Sequence, residues 1–300
     1  MKSLSAVRDL ISAELGEIPP AEVASAAEAV RKLHGDGVAA VLFYGACRRA
    51  DQYDGGLLDF YVVVEGFHGV YANRFHGFLN WLLPPNVYFL EISCNGVSVR
   101  AKYAVLSARQ FAKQTASGAF ASTLWGRLCQ PCTLVWARDD ATRKTIEDGV
   151  ARSVIRFFEE VAPLFGPNIP ARNLWIGGLK ACYGTEFRSE HSDRQAGLYE
   201  AYAARYDQVT DLLRGQPDLR LSGRAVVRAR WLGRRMLGRT TQVLRLFKAV
   251  FTFANGLDYV LYKIEKHSGV TTTPSQWQQR HPILAAPKLA WTLYRKGAFR

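Results

Sequence analysis

The sequence predicts an α+β protein: a mixed β-sheet flanked by helices, then a mostly helical part and a basic amphipathic C-terminal segment. Three observations carry this. Short apolar runs rich in β-branched and aromatic residues recur between residues 38 and 137, each bounded by Gly, Pro or Asn, which is the pattern of buried strands. Beyond Asp139 the apolar residues recur at helical spacing instead. Residues 220–300 hold 16 of the 39 Lys and Arg but only 2 of the 26 Asp and Glu, which leaves the first 219 residues with 23 against 24, a nearly neutral body.

Taken in order, Leu10, Ile11 and Leu15 predict a helix over 5–15, and Val23, Ala26 and Val30 a second over 21–34. Pro19-Pro20 separates them, and Gly35-Asp36-Gly37 turns the chain into a strand, Val38–Tyr44. A second strand follows at Leu57–Val64. A helix is expected over His68–Leu83, stopped by Pro84-Pro85, then a strand at Val87–Ile92. Asn95-Gly96 makes a two-residue hairpin turn into a return strand, Val97–Leu106. Ser107 caps a helix expected to reach Arg127, and Thr133–Ala137 is a last short strand. Asp139-Asp140 opens a long helix to about Phe165, and Gly166-Pro167-Asn168 reads as a boundary. The expected division is 1–138, 139–218 and 219–300.

At 300 residues the chain is long enough for a substantial core. Five cysteines form no disulfide framework, so a reducing compartment is expected. No run of about eighteen uncharged apolar residues marks a spanning helix, and the N-terminus has neither a signal-peptide core nor the acid-free character of a presequence. The expected place is therefore the cytoplasmic side of an inner membrane, as a peripheral protein. The basic segment points to a polyanionic surface. Arg224, Arg228, Arg235 and Arg239 share a helical face, and Leu244, Phe247 and Phe251 form an apolar stripe interrupted by Arg245 and Lys248. An amphipathic helix of this kind suits an anionic membrane interface, favoured here over nucleic acid. The alternative is aromatics packed on the body beneath a solvated face.

The stretch Val38–Val64 holds the chemistry. Gly45 closes the first strand, and Asp59 is a lone acid inside the second. A carboxylate in an otherwise apolar strand is costly unless a cation pairs with it. A strand, a glycine turn and a strand carrying Asp is the signature of nucleotidyltransferases, where the turn lets backbone approach a triphosphate and the acid holds Mg²⁺. Two core strands whose Asp caps a turn would read the same. Glu91 repeats the pattern and is a candidate second metal ligand. Lys102 and Arg127 are candidates to meet phosphate oxygens. Cys129 and Cys132 lack a partner pair at zinc spacing and read as incidental.

With these residues in hand, the chain resembles the mitochondrial-type phosphatidate cytidylyltransferases, the translocator assembly and maintenance family, over about residues 40–215. Phe43-Tyr44-Gly45-Ala46 resembles its glycine turn, and Leu57-Leu58-Asp59-Phe60 its acidic strand. Asn73-Arg74-Phe75-His76, then Asn95-Gly96 with Lys102-Tyr103, then Gly126-Arg127-Leu128, and Tyr183-Gly184-Thr185-Glu186-Phe187-Arg188 follow in the family's order. Ala46, Cys47 and Gln130 stand where the family has Ser, Gly and Lys.

The resemblance implies a nucleotidyltransferase domain joined to a winged-helix-like one, and a reaction of CTP with phosphatidic acid giving CDP-diacylglycerol and pyrophosphate with Mg²⁺. It implies that Asp59 and Lys102 are catalytic, and that Tyr44, Gly45, Ala46 and Arg127 bind CTP. Arg188 and His76 would meet the lipid phosphate, and Asp59 would hold the metal; Glu91, its candidate partner, comes from the residue pattern alone. Transfer to RNA or protein, and an inactive membrane-bound scaffold, are the alternatives.

Overall fold

A computed structural model of the chain describes residues 2–50, 56–186, 192–252, 261, 270, 272–280 and 282–296. Its centre is a five-stranded mixed sheet built from β1 (Val38–Tyr44), β2 (Leu57–Val64), β3 (Asn86–Cys94), β4 (Val97–Ser107) and β5 (Thr133–Ala137). The strands lie in the order β3-β4-β2-β1-β5. β1 pairs antiparallel with β2 and with β5, and β3 with β4, whereas β2 and β4 run parallel. All five predicted strands form, as their β-branched and aromatic content requires.

Side chains alternate across a strand, so each row of the sheet commits to one face. Val41, Phe43, Leu58, Phe60, Val62 and Tyr103 point to a core closed by Val23, Ala26 and Val30 of α2 (Ala21–His34). Leu42, Tyr61, Val63, Ala104 and Leu106 point the other way, into a larger core. There they meet α1 (Lys2–Leu15), α7 (Asp140–Val161), α8 (Ala171–Tyr183) and α10 (Ala203–Leu213), through residues such as Ile11, Phe157, Trp175 and Tyr206. The Gly166-Pro167-Asn168 stretch is a loop between helices, and this one apolar core has members on both sides of it.

Two helices are shorter than their sequence pattern suggests. The helix expected over His68–Leu83 is α4 (Arg74–Leu82), because the Asn73 side chain accepts from the Phe75 amide and caps it there. The helix expected from Ser107 to Arg127 is two pieces, α5 (Ala108–Gln114) and α6 (Trp125–Leu128). Ser107 and Gln110 form the capping box that starts α5. Thr115 then bonds back to the Phe111 carbonyl, and Ser117, Gly118, Ser122 and Thr123 follow, residues that favour turns over helix interior. Between β1 and β2 the short α3 (Ala46–Ala50) begins at once after Gly45, and α9 (Ser192–Glu200) precedes α10.

The basic segment is α11 (Arg224–Thr252), followed by α12 (Gln276–Arg280) and α13 (Pro282–Arg295). The first half of α11 packs on α7. Val227 and Trp231 enter the large core, and Glu160 of α7 receives Arg234 at 2.6 Å and Arg230 at 3.0 Å, beside Arg156 at 2.7 Å. The second half is tied to the turn after α4. Arg245 Nε donates to the Pro84 carbonyl at 2.8 Å, and Lys248 Nζ to Leu83 and Pro85 at 2.5 and 2.7 Å. No helix among the described residues is long and apolar enough to cross a membrane.

Candidate functional site

Strand pairing builds the site one row at a time. Tyr44 on β1, Asp59 on β2, Lys102 on β4 and Phe89 on β3 stand opposite one another. All four therefore share the face toward the larger core of α1, α7, α8 and α10. Asp59 Oδ1 lies 3.0 Å from Lys102 Nζ, with both side chains about three-quarters covered. In the next row Tyr61 stands two residues beyond Asp59 and stacks on Tyr44, with ring centres 4.6 Å apart. Burial, then the neighbouring Tyr61 and Asp59, push the Tyr44 phenol well above its ordinary value, so it stays protonated.

Gly45 is the position where the backbone requires glycine. Its φ is +98°, and a Cβ there would stand 2.9 Å from Asp59 Oδ2. The turn thus places bare backbone against the carboxylate. Gly45→Ala is expected to cost about 1–3 kcal/mol in backbone strain and to push Asp59 away from Lys102. Activity should accordingly fall much further than the melting temperature, which paired kinetic and thermal measurements on one preparation would show.

Arg127 closes the site from α6. Its guanidinium donates to Glu186 at 2.6 Å and to the Thr123 carbonyl. Burial alone would lower its pKa, but Glu186 and the phenols of Tyr61, Tyr44 and Tyr183 outweigh that and leave it raised, so it is a fixed positive charge. A cavity of about 60 Å³ is lined by Tyr44, Gly45, Asp59, Arg127, Gln130 and Tyr202. Across the wall made by Tyr44 and Arg127 is a second cavity of about 420 Å³, which takes in Lys102. The Asp59–Lys102 pair therefore spans the two.

Other expected residues are placed elsewhere. Glu91 is not brought to Asp59: β4 lies between their strands, and Glu91 pairs with Arg100, one row further out. Strand spacing and rise put it roughly 12 Å away. Its oxygen is held by Ser98 and by Arg100 at 3.1 Å, which corrects its expected place as a shared metal ligand. His76 is likewise not at the site. It meets the Tyr71 ring, which belongs with His34, Tyr88 and Tyr103 to the ring cluster on the opposite face of the sheet. Arg188 lies outside the described residues. Cys129 and Cys132 are buried free thiols whose pKa burial raises to about 12, so neither is poised for redox or metal chemistry.

Two of the three residues that depart from the resembled pattern, Cys47 and Gln130, have structural partners. Cys47 donates through sulfur to the Leu57 carbonyl, tying α3 to β2. Gln130 reaches Tyr183 at 3.1 Å. Arg48, unremarked in the sequence, links α3 to Thr133, Tyr202 and Glu17. Glu186, Tyr61, Arg245 and Lys248 also belong to the site walls without having been read as such. The two α11 cations did leave one signal, since they interrupt an apolar stripe.

No family model matches the chain, and no curated protein matches it. Among solved structures, a nucleotidyltransferase-like protein from Exiguobacterium sibiricum aligns over 93% of this chain and 92% of its own, at 12% identity and a TM-score of 0.27. A likeness of that degree leaves the chemistry to be read from the site itself.

A magnesium ion can be weighed against the residues present. Among the described residues no group of three or more His, Cys, Asp or Glu could hold a metal. Asp59 offers one carboxylate beside the open Gly45 turn. Mg²⁺ is commonly held by one or two carboxylates together with substrate phosphates. The site therefore fits an ion arriving with a polyphosphate, and fits a preformed two-carboxylate centre poorly.

Proposed function

We propose that the protein is a nucleotidyltransferase, and more narrowly a Mg²⁺-dependent cytidylyltransferase that joins CTP to phosphatidic acid or a similar lipid phosphate at a membrane surface. The observation that carries the reading is the contact of the Gly45 turn with Asp59, backed by Lys102 on the next strand and Arg127 across the cleft. A turn without a side chain lets a triphosphate approach backbone amides. Tyr44 and Ala46 border the same small cavity, which would take the nucleotide's phosphates.

Asp59 would hold the ion that accompanies CTP, and the ion's contribution there is to neutralise charge on the polyphosphate. Lys102, beside Asp59 on the next strand, would meet a phosphate oxygen of the bound nucleotide. Arg127 supplies a second fixed charge. In the reaction an oxygen of the lipid phosphate attacks the α-phosphorus in line. The new P–O bond forms as the bond to the β-phosphate oxygen breaks, and pyrophosphate leaves with the electron pair.

The surface beside the cleft supports a lipid substrate. Phe75, Phe78, Trp81 and Leu82 of α4 are exposed, Trp81 to 64%. On the adjoining half of α11, Leu244 and Phe247 are exposed too, Phe247 to 68%. Exposed aromatics beside a cationic helix suit the interface of an anionic bilayer. Phe78→Ser combined with Trp81→Ser is expected to lower binding to phosphatidate-containing liposomes tenfold or more in flotation, with the fold unchanged because neither side chain is buried.

Transfer to RNA is a second reading, favoured by one feature: Arg224, Arg228, Arg235, Arg239 and Lys180 line a groove of about 1040 Å³ along α11. Flotation beside an RNA gel-shift separates the two, since preference for RNA at physiological salt would favour it. For the leading reading, pyrophosphate release from CTP and Mg²⁺ should depend on added lipid phosphate. Release that is equal without lipid would overturn it.

A further inference from the structure

We propose that the 420 Å³ cavity between the sheet and α11 is the acceptor site, taking a phosphomonoester that carries an apolar chain, with its phosphate on Arg245 and Lys248. The proposal rests on the nucleotidyl-transfer reading of the Gly45–Asp59 cleft and adds residues that the resemblance did not supply.

The cavity is strongly basic. Lys102, Arg127, Arg245 and Lys248 line the cavity. Two of them are compensated, Lys102 by Asp59 and Arg127 by Glu186. Among the described residues, Arg245 and Lys248 bond only to the carbonyls of Leu83, Pro84 and Pro85. Carbonyls orient a cation but do not neutralise it, and the carboxylate that acts on Arg245, Glu186, is already paired with Arg127. Among the described residues, four basic side chains stand against two carboxylates, and the surplus at Arg245 and Lys248 suits a phosphomonoester anion. Arg245 spends its Nε on Pro84, which leaves the planar pair of terminal nitrogens for bidentate contact with phosphate.

The cavity also lies beside the Gly45–Asp59 cleft. The cavity shares Tyr44 and Arg127 with the small cavity at Gly45 and Asp59. A phosphate on the Lys102 side is therefore one ion pair away from an α-phosphorus on the Asp59 side. The remaining wall is mixed: Val87, Ala104, Leu106, Leu124 and Leu246 give it an apolar part, beside the polar Gln114, Thr123, Gln242 and Thr252. Its volume lies within the usual range for ligand pockets, about 300–1,000 Å³. The exposed aromatic face of α4 adjoins the same turn that Arg245 and Lys248 grip, so a chain leaving the cavity there meets the surface suited to a bilayer. Burial and then Arg245 lower the Lys248 pKa to about 7, and an anion bound beside it would raise it again.

The test uses the full chain and decyl phosphate as probe, followed by calorimetry, with inorganic phosphate and decanol alongside. Decyl phosphate should bind at least tenfold more tightly than either. Arg245→Gln and Lys248→Met should each weaken it tenfold or more, whereas Arg245→Lys and Lys248→Arg, which keep the charge, should retain most of it. Arg224→Gln and Arg228→Gln, on the outer groove, should change it less than twofold. Equal binding of inorganic phosphate would overturn the apolar-chain part. Unchanged affinity in folded Arg245→Gln and Lys248→Met proteins would overturn the site. CTP binding by the wild-type protein is measured in parallel: its failure would count against nucleotidyl transfer, whereas loss of the decyl phosphate effect alone counts against this site.

Discussion

Asp59→Asn is expected to lower nucleotidyl transfer by about 10²–10³-fold or more, the range seen when one electrostatic partner of a reacting phosphate or oxyanion is removed. The substitution keeps shape and removes charge. In the folded protein it leaves Lys102 without its carboxylate, but that pair is partly solvated, so the stability cost should stay near or below about 1 kcal/mol. Turnover and melting temperature measured on the same preparation therefore separate chemistry from folding. Retained turnover would place the catalytic acid elsewhere. A collapse of the fold would make Asp59 a structural half of an ion pair.

The largest expected loss of stability is at Glu160. Its carboxylate is buried, and it receives Arg156 from its own helix and both Arg230 and Arg234 from α11. Arg234 is as buried as Glu160 and lies over the rings of Trp231, Phe120 and Trp125. Replacing Glu160 by Gln leaves Arg230 and Arg234 without their carboxylate, while Arg156 keeps Glu159; this costs roughly 3–5 kcal/mol and lowers the melting temperature by roughly 10 °C. Burial raises the Glu160 pKa, but Arg234, Arg156 and Arg230 outweigh it, and the net shift is downward from 4.5. A carboxylate lowered in the folded state adds stability that is complete above its unfolded value and lost as pH falls through its folded one. Acid melts should show that loss below about pH 4.5 in the wild-type protein, and less of it in Glu160→Gln. A change under 1 kcal/mol would mean that α11 is held to α7 by its apolar contacts alone.

Much of the fold was legible because its signals are local. Five strands were marked by β-branched runs, Ser107 and Asp139 by capping chemistry, and the Asn95-Gly96 turn by its positive φ values. Asp59 was legible for the same reason, a lone charge in an apolar strand. Glu91 carried an identical local signal and sits elsewhere, because strand order decides which rows meet, and β4 inserts itself between β2 and β3. His76 lies with the opposite face for a related reason: the placement of α4 against the sheet leaves no trace in the spacing of its own residues. Arg245 and Lys248 looked like flaws in a membrane-facing stripe. Only the contact with the Pro84-Pro85 turn shows them directed inward while Leu244 and Phe247 remain outside. Net charge located the basic segment, but it could not divide cations that line a cavity from those along the outer groove.

The central claim is transfer of a nucleotidyl group to a lipid phosphate, and its most direct measurement follows the phosphorus. The full chain is incubated with Mg²⁺, a short-chain phosphatidate and CTP labelled at the α-phosphorus, or in a parallel reaction at the γ-phosphorus. The α label should enter the lipid fraction in step with pyrophosphate release, and the γ label should appear only in pyrophosphate. Entry of the γ label into lipid, or no α label in lipid with any of the four common nucleotides, would contradict it.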